Sequence, residues 1–384
     1  MSTLNVDAIV SSSGGNTTTV NGKLPLPNTS RNARNLIING DMNIAQRATS
    51  STGLGGTSGY YTADRWEHQF NGTSGRLTSS VVGITDLAGL RSALKFACTT
   101  ADTSIATTEY FVLAHKMEGF NIQSVGFGTA DAKPLTLSFY AKGNGNATYT
   151  AQLQTGGSNE VSASFNVTSS WQRFEINYPA ATNVGSVLNN DNNAQLSLQI
   201  WLVSGATYSG GSSLNTTWGS PNNNTMAVGN DNFFSSTSNE FFITGVQLEV
   251  GSVATDFEYR PIGEELALCQ RYFYNCAPAR SGQAEHHIMT GAMYDANYCY
   301  GKIEFPVTMR TMPTIVQTSG SQYFQIYCAG ASNAIDSISM LGSGNSTENF
   351  AMLRNTQAVS FTAGQAANLQ KKSASAALAF DAEL

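Results

Sequence analysis

Short runs in which apolar and polar residues alternate recur along much of the chain. From residue 135 onward they are LTLSFYAKG (135–143), TYTAQLQTGG (148–157), WQRFEINYP (171–179), AQLSLQIWLVSG (194–205) and EFFITGVQLEVG (240–251). In the fourth run Leu196, Leu198 and Ile200 share one strand face, and Ser197, Gln199 and Trp201 share the other, because successive side chains point to opposite faces. Almost no helical pattern separates the runs. We therefore predict an antiparallel β-sandwich or jelly roll over residues 35–261.

The first 34 residues have a different character. Leu4, Val6, Ala8 and Val10 alternate with polar residues, and two prolines interrupt the extended sequence that follows. Such a segment is too short to hold a core, so its strand edges need a neighbouring subunit or another protein. We predict an N-terminal anchoring arm over residues 1–34, with a frayed tail as the alternative.

The pattern changes again after Pro261. The segment GEELALCQRYFYN (263–275) starts with acidic residues and continues with apolar ones, which favours a helix of about three turns. We assign residues 262–275 to a connecting helix. Beyond it, YCYGKIEFPVTMRTMPTIV, YFQIYCAG, AVSFTAG and ALAFDAEL predict a C-terminal β-sandwich domain over residues 276–384, so that the whole chain is all-β apart from the helix.

Composition narrows the range of partners. Only 12% of the residues are charged, against about 25% in an average soluble protein, and the net charge is −6. A nucleic-acid partner is disfavoured because the positive charge that neutralises phosphates is missing.

We expect no membrane insertion, since no run of about 18 apolar residues occurs, and no signal peptide. The five cysteines form no CxxC pair, which fits reduced thiols in a protein made in a cytosol.

The stretch NLIINGDMNIAQRATSSTGLGGTSGYYTADRW (35–66) contains a conspicuous Asn-Gly-Asp turn. It lacks the Gly-Lys-Ser/Thr ending of a phosphate-binding loop and the GxSxG nucleophile of a hydrolase. The remaining interpretation of this stretch is a first strand that leads into a tight turn.

This stretch, together with QLEVGSVATDFEYRP (247–261), resembles the carbohydrate-binding-module-like jelly roll of virion proteins from tailed bacteriophages, including cyanobacterial phages. The segment CQRYF (269–273) also matches that group, and FPVTMRTMPT (305–314) is similar to the C-terminal domains of phage tail fibres. The resemblance covers nearly the whole chain, although the match of residues 1–34 is weaker.

The resemblance implies a homotrimeric tail fibre located in the virion tail after synthesis in the host cytoplasm. Residues 1–34 would bind other tail proteins, and the distal β-domains would contact a glycan on the host surface. The alternatives are a head-decoration, adaptor or collar protein of the virion, or a soluble glycan-binding module.

The resemblance also suggests particular contacts at the first turn. We expect the closing strand to pair beside the opening one, with Leu248 inside and Glu249 close to Arg47 or Arg65. Related carbohydrate-binding modules hold a structural calcium ion through an acidic residue near this turn. Asp41 and Glu249 are the candidate ligands, although Met42 and Asn43 stand where the family has a further acidic residue. No other cofactor is expected.

Aromatic residues indicate two candidate glycan sites, because sugars stack on aromatic faces and pair their hydroxyls with amides and carboxylates. The candidates are Tyr294, Tyr298 and Tyr300 beside Asp295 and Asn297, and, in the jelly-roll loops, Tyr60, Tyr61 and Trp218. A buried stripe of tyrosines is the alternative for the first set.

Catalysis is not expected. None of the 26 acidic residues lies in a recognisable glycosidase motif, and the four histidines show no triad order.

Overall fold

The computed structural model describes residues 34–156, 159–182, 184, 187–280, 282, 284–342 and 344–384. Residues 35–384 form one compact unit. The predicted arm over residues 1–34, apart from its last residue, lies outside the described residues.

The prediction of an all-β chain with a jelly roll is confirmed. Two six-stranded antiparallel sheets form the first sandwich, which contains β1 (Ser50–Leu54), β2 (Gly59–Tyr60), β3 (Glu67–Asn71), β4 (Arg76–Gly83), β5 (Ser92–Thr100), β6 (Tyr110–Glu118), β7 (Leu135–Gly143), β8 (Ala147–Thr155), β9 (Asn159–Val167), β10 (Gln172–Tyr178), β11 (Ala194–Ser204) and β12 (Glu240–Val250). The first sheet has the order β1-β4-β5-β12-β7-β10, and the second has the order β2-β3-β6-β11-β8-β9. Most consecutive strands thus pass between the sheets, as in a jelly roll, whereas β2-β3, β4-β5 and β8-β9 pair within one sheet.

The inner faces of these sheets share one apolar core. Leu196, Leu198 and Ile200 on β11 are buried in it, as the alternation predicts, together with Phe96 and Phe241 from the first sheet. The long connection between β11 and β12 contains α1 (Ala206–Ser209) and two short 3₁₀ turns, and it covers part of the outer face of the second sheet.

The opening segment lies beside the closing strand, as expected. The Leu36 amide donates to the Leu248 carbonyl at 2.8 Å, and the Val246 amide donates to the Gly40 carbonyl at 2.9 Å. Leu248 is fully buried.

The expected pairing of Glu249 with Arg47 or Arg65 is wrong. Glu249 accepts hydrogen bonds from the backbone and hydroxyl of Thr255, whereas both arginines form ion pairs with Glu383. Glu383 lies 134 positions further along the chain, so local sequence carries no sign of this contact.

The connecting helix is shorter than predicted. Helix α2 (Ile262–Gln270) begins with Glu264 and Glu265 in its first turn but ends at Gln270. Phe273 already belongs to a strand and pairs with Asp381. The prediction of a helix up to residue 275 is therefore wrong, because pairing with the chain's last strand takes precedence over local helix propensity.

The C-terminal part contains two further sheets, in which the strands are β13 (Phe273–Ala277), β14 (His287–Met293), β15 (Cys299–Glu304), β16 (Thr314–Gln317), β17 (Phe324–Cys328), β18 (Ala331–Ile335), β19 (Ile338–Met340), β20 (Phe350–Asn355), β21 (Ala366–Lys371) and β22 (Leu378–Asp381). The third sheet has the order β13-β22-β16, and the fourth has the order β18-β17-β21-β14-β15-β20-β19. Both contribute to a second apolar core that includes Ala277, Phe324, Leu353 and Phe380. The boundaries proposed between domains stay a prediction.

Candidate functional site

A partly exposed aromatic cluster lies at the hairpin that joins β14 and β15. Tyr294 is 74% exposed, and its ring lies 5.0 Å from that of Tyr300, measured between centroids. Tyr298 and Tyr300 project from the outer face of the fourth sheet, since the intervening Cys299 is buried in the core. We call Tyr294, Tyr298 and Tyr300 the tyrosine cluster. The alternative that these tyrosines form a buried stripe is wrong for Tyr294.

The turn beneath the cluster is held by Asp295. Its carboxylate accepts hydrogen bonds from the amides of Asn297 and Tyr298, at 2.7 and 2.8 Å. The Asn297 side chain is exposed beside it. The five residues predicted for this site therefore occupy one hairpin.

Arg354 completes the cluster from the neighbouring strand β20. Its guanidinium carbon lies 5.2 Å from the Tyr298 ring centroid, and Nη1 is 3.4 Å from the Tyr300 hydroxyl. Sequence reasoning missed Arg354 because the pairing of Tyr300 with Arg354 is a tertiary contact between strands.

An open cleft of about 400 Å³ lies at the other end of β15 and β20. Its lining combines an exposed carboxylate, an amide and an aromatic ring, from Glu304, Asn349 and Phe350. Thr308 donates to Asn349 at 2.8 Å and fixes that amide.

The other predicted aromatic residues do not converge. The Tyr60 hydroxyl donates to the main-chain oxygen of Leu384 at 3.2 Å, and burial raises the pKa of Tyr60 well above its usual value. Tyr61 packs edge-on against the His68 ring. Trp218 donates to the Pro179 carbonyl and packs on Phe127. Tyr60 and Trp218 lie near opposite edges of the second sheet, since Tyr60 is on β2 and Gly219 bridges to β9.

A polar groove of about 300 Å³, which sequence reasoning missed, lies on the outer face of the second sheet. Gln69, Lys116, Gln154, Ser197 and Gln199 line it, and the Gln199 amide donates to Gln154 at 2.9 Å. Alternation in β11 did place Ser197 and Gln199 on the face away from the core. Their meeting with Gln154 depends on the register between β8 and β11.

The proposed calcium ligands have separate hydrogen-bond partners. The Asn43 side chain donates to Asp41, whose pKa is raised chiefly by burial, and Glu249 binds Thr255. Within the described ranges, no three His, Cys, Asp or Glu side chains cluster in a way that could hold a metal ion. Calcium binding stays a prediction.

The residues of the opening motif stabilise the fold through internal hydrogen bonds. The Asn39 side chain bonds the main chain of Ile44 and of Asp64, and the Trp66 indole donates to the Asn39 carbonyl at 3.0 Å. Arg260, from the closing motif, donates to the Ile37 carbonyl at 3.1 Å. These side chains form hydrogen bonds within the protein and stabilise the contact between the opening and closing segments.

Among the helices that the structure describes, none has the length and apolar character needed to cross a membrane.

Comparison with known proteins gives only distant likenesses. No protein-family model matches the chain, and no curated protein matches it significantly. Solved structures similar to part of the chain include a putative sugar binding protein from Bacteroides thetaiotaomicron VPI-5482, with a TM-score of 0.31 and 12% identity over 56% of this chain and 99% of that chain. A family 11 carbohydrate-binding module from Clostridium thermocellum has a TM-score of 0.27 and 14% identity, over 54% and 99%.

The enzymatically active domain of tailspike protein 4 from bacteriophage CBA120 has a TM-score of 0.28 and 8% identity. That likeness covers 56% of this chain but only 21% of the tailspike chain.

Proposed function

We propose that this protein is a non-catalytic, glycan-binding structural protein of a phage virion, in its simplest form a homotrimeric tail fibre. The observation that carries glycan binding is the tyrosine cluster, with exposed Tyr294 at its tip, beside Arg354. Tyr294, a residue that is 74% exposed at a hairpin tip, offers a ring face on which a sugar stacks, and the neighbouring polar groups bond the sugar's hydroxyls.

The virion role rests on the sequence resemblance. In this proposal residues 1–34 bind other tail proteins, and the C-terminal sheets meet the host. A head-decoration, adaptor or collar protein is the alternative. Cryo-microscopy of the virion distinguishes these locations. Density for this chain on the capsid would overturn the tail-fibre role.

Glycan binding is tested with Tyr294→Ala. The variant should lose at least about tenfold in affinity for host-surface glycan, because the stacking face is removed, while its unfolding midpoint stays unchanged. Tyr327→Ala is the matched control, since Tyr327 is 41% exposed on β17 of the same sheet. Equal binding by both variants and the wild type would place the site elsewhere.

The polar groove is the second candidate site, because its aligned amides suit sugar hydroxyls. If it is the site, Gln69→Ala combined with Gln154→Ala should weaken binding and Tyr294→Ala should not.

The trimer is tested by light scattering of the full chain. A mass near three times 40.8 kDa is expected, and a mass near 40.8 kDa at micromolar concentration would rule the trimer out.

A further inference from the structure

The outer face of β15 and β20 is a continuous track between the tyrosine cluster and the cleft. Tyr300, Lys302 and Glu304 alternate with buried residues on β15, and on β20 they pair with Arg354, Met352 and Phe350. From Tyr300 to Glu304 the track is roughly 13 Å long, at about 3.3 Å per residue. Its two ends carry aromatic rings, and its middle is exposed, since the Lys302 side chain is 48% exposed.

The track contains one cation without an acidic partner. Lys302 pairs with Glu304 at 2.7 Å. Arg354 contacts a tyrosine ring, a tyrosine hydroxyl and the Ser339 hydroxyl, and in the part of the chain that the structure describes no carboxylate lies within 4.0 Å of it. The nearby Asp295 carboxylate is engaged by amides of its own turn.

We infer that this track binds an acidic oligosaccharide, with the sugar's carboxylate at Arg354 and the chain running from the tyrosine cluster to the cleft. The inference rests on the proposed glycan binding and adds the ligand's charge and direction. A guanidinium presents parallel N–H donors that match a carboxylate, and the tyrosine rings beside it supply the stacking surface.

Charge is tested on an array of oligosaccharides that carry uronic or sialic acid, each printed beside its carboxyl-reduced, neutral form. The wild-type full chain should bind acidic members and lose at least about tenfold on the reduced ones. Arg354→Met should erase this difference, and Arg354→Lys should keep part of it. Arg91→Met removes an exposed charge from the first sandwich and should have no effect.

Direction is tested with oligomers of increasing length. Affinity should rise with length in the wild type, and Phe350→Ser should remove that rise while leaving the shortest acidic oligomer bound as before. Affinity that does not depend on length would overturn the extended track.

The outcomes separate this inference from the proposed function. If Tyr294→Ala abolishes binding but Arg354→Met keeps the preference for acidic glycans, the assignment to Arg354 is wrong and glycan binding stands. If the protein binds only the neutral oligosaccharides, the assignment to Arg354 is likewise wrong and glycan binding stands. Binding to no glycan would overturn both, and a change of oligomeric mass in Arg354→Met would show that the face is a subunit interface.

Discussion

At the residue scale, a group of buried and paired charges lies where the first sandwich meets the end of the chain. Arg65 is fully buried, pairs with Glu383, and stacks over the Tyr272 ring at 3.5 Å. Arg47 reaches the same carboxylate at 3.3 Å. A buried cation of this kind depends on its partner, because a charge in the interior without one is strongly unfavourable.

Replacing Glu383 with alanine should therefore lower the free energy of unfolding by about 3–5 kcal/mol, since Arg65 loses its carboxylate partner. Denaturant unfolding measures the change. The matched control is Glu175→Ala, which breaks an exposed pair with Arg173 and should cost about 1 kcal/mol or less. Equal losses in the two variants would contradict a special role for the buried pair.

A second residue-scale feature is the neutral histidine at position 68. His68 is enclosed by aromatic rings, and burial lowers its pKa to about 3. The unfolded chain binds a proton at His68 below about pH 6.5, whereas the folded chain does not until about pH 3. The stabilisation is thus complete above pH 6.5 and is lost as the pH falls toward 3.

His68→Phe should remove the pH-dependent contribution of His68 to the free energy of unfolding. Between pH 6.5 and pH 3 this contribution changes by about 1.4 kcal/mol per pH unit. We expect the difference in unfolding free energy between variant and wild type to shift in favour of the variant as the pH falls from 6.5 to 4. His286→Gln, at an exposed position, is the control and should keep the wild-type slope. Parallel pH profiles of wild type and His68→Phe would contradict a neutral buried imidazole.

At the element scale, alternation predicted strands well where one face is buried and the other exposed, as in β10. It could not predict where α2 ends, since Phe273 turns to a strand through its pairing with Asp381. The same limit explains the missed sites. Single strands placed Ser197 and Gln199 on a polar face and left Tyr300 either at a glycan site or in a buried stripe. Strand register decides that Gln154 and Arg354 lie beside them.

The opening Asn-Gly turn has a packing reason that sequence alone did not give. A Cβ atom on Gly40 would lie 2.1 Å from the Val246 carbonyl oxygen, where the opening segment meets β12. Gly40→Ala should therefore displace the backbone and cost about 1–3 kcal/mol, as overpacking does in cores. Gly263→Ala, in α2 with open space around it, should cost nothing. Thermal unfolding of both variants checks the contrast, and an unchanged midpoint for Gly40→Ala would contradict it.

At the scale of the whole molecule, the sequence signatures meet at one junction. Arg271, from CQRYF, donates two hydrogen bonds of 2.7 Å to Glu118 at the end of β6. Arg310, from FPVTMR, donates to the main-chain oxygens of Ala382, Glu383 and Asn192. The motifs were readable from the sequence, but their convergence was not, because it depends on contacts between residues that lie from 72 to 153 positions apart. Because Arg271 and Arg310 make structural contacts at this junction, the motifs that contain them did not identify a ligand site.

This junction predicts that residues 35–384 unfold as one cooperative unit. Losing the second core would leave buried charges such as Arg65 and Glu118 without partners, so neither sandwich is expected to persist alone. All four tryptophans lie in the first sandwich, whereas the buried Cys299 thiol lies in the second core. Tryptophan fluorescence and pulsed thiol labelling, with mass spectrometry assigning the label to Cys299, should therefore give coincident denaturant transitions.

Arg310→Ala should move both transitions together to lower denaturant, because it removes contacts that tie Asn192 of the first sandwich to the last residues of the chain. Lys372→Ala, at an exposed position in the second β-region, serves as the control and should move neither. If Cys299 instead becomes reactive at a denaturant concentration where tryptophan fluorescence is still native, the two sandwiches are independent folding units, and the junction only orients them.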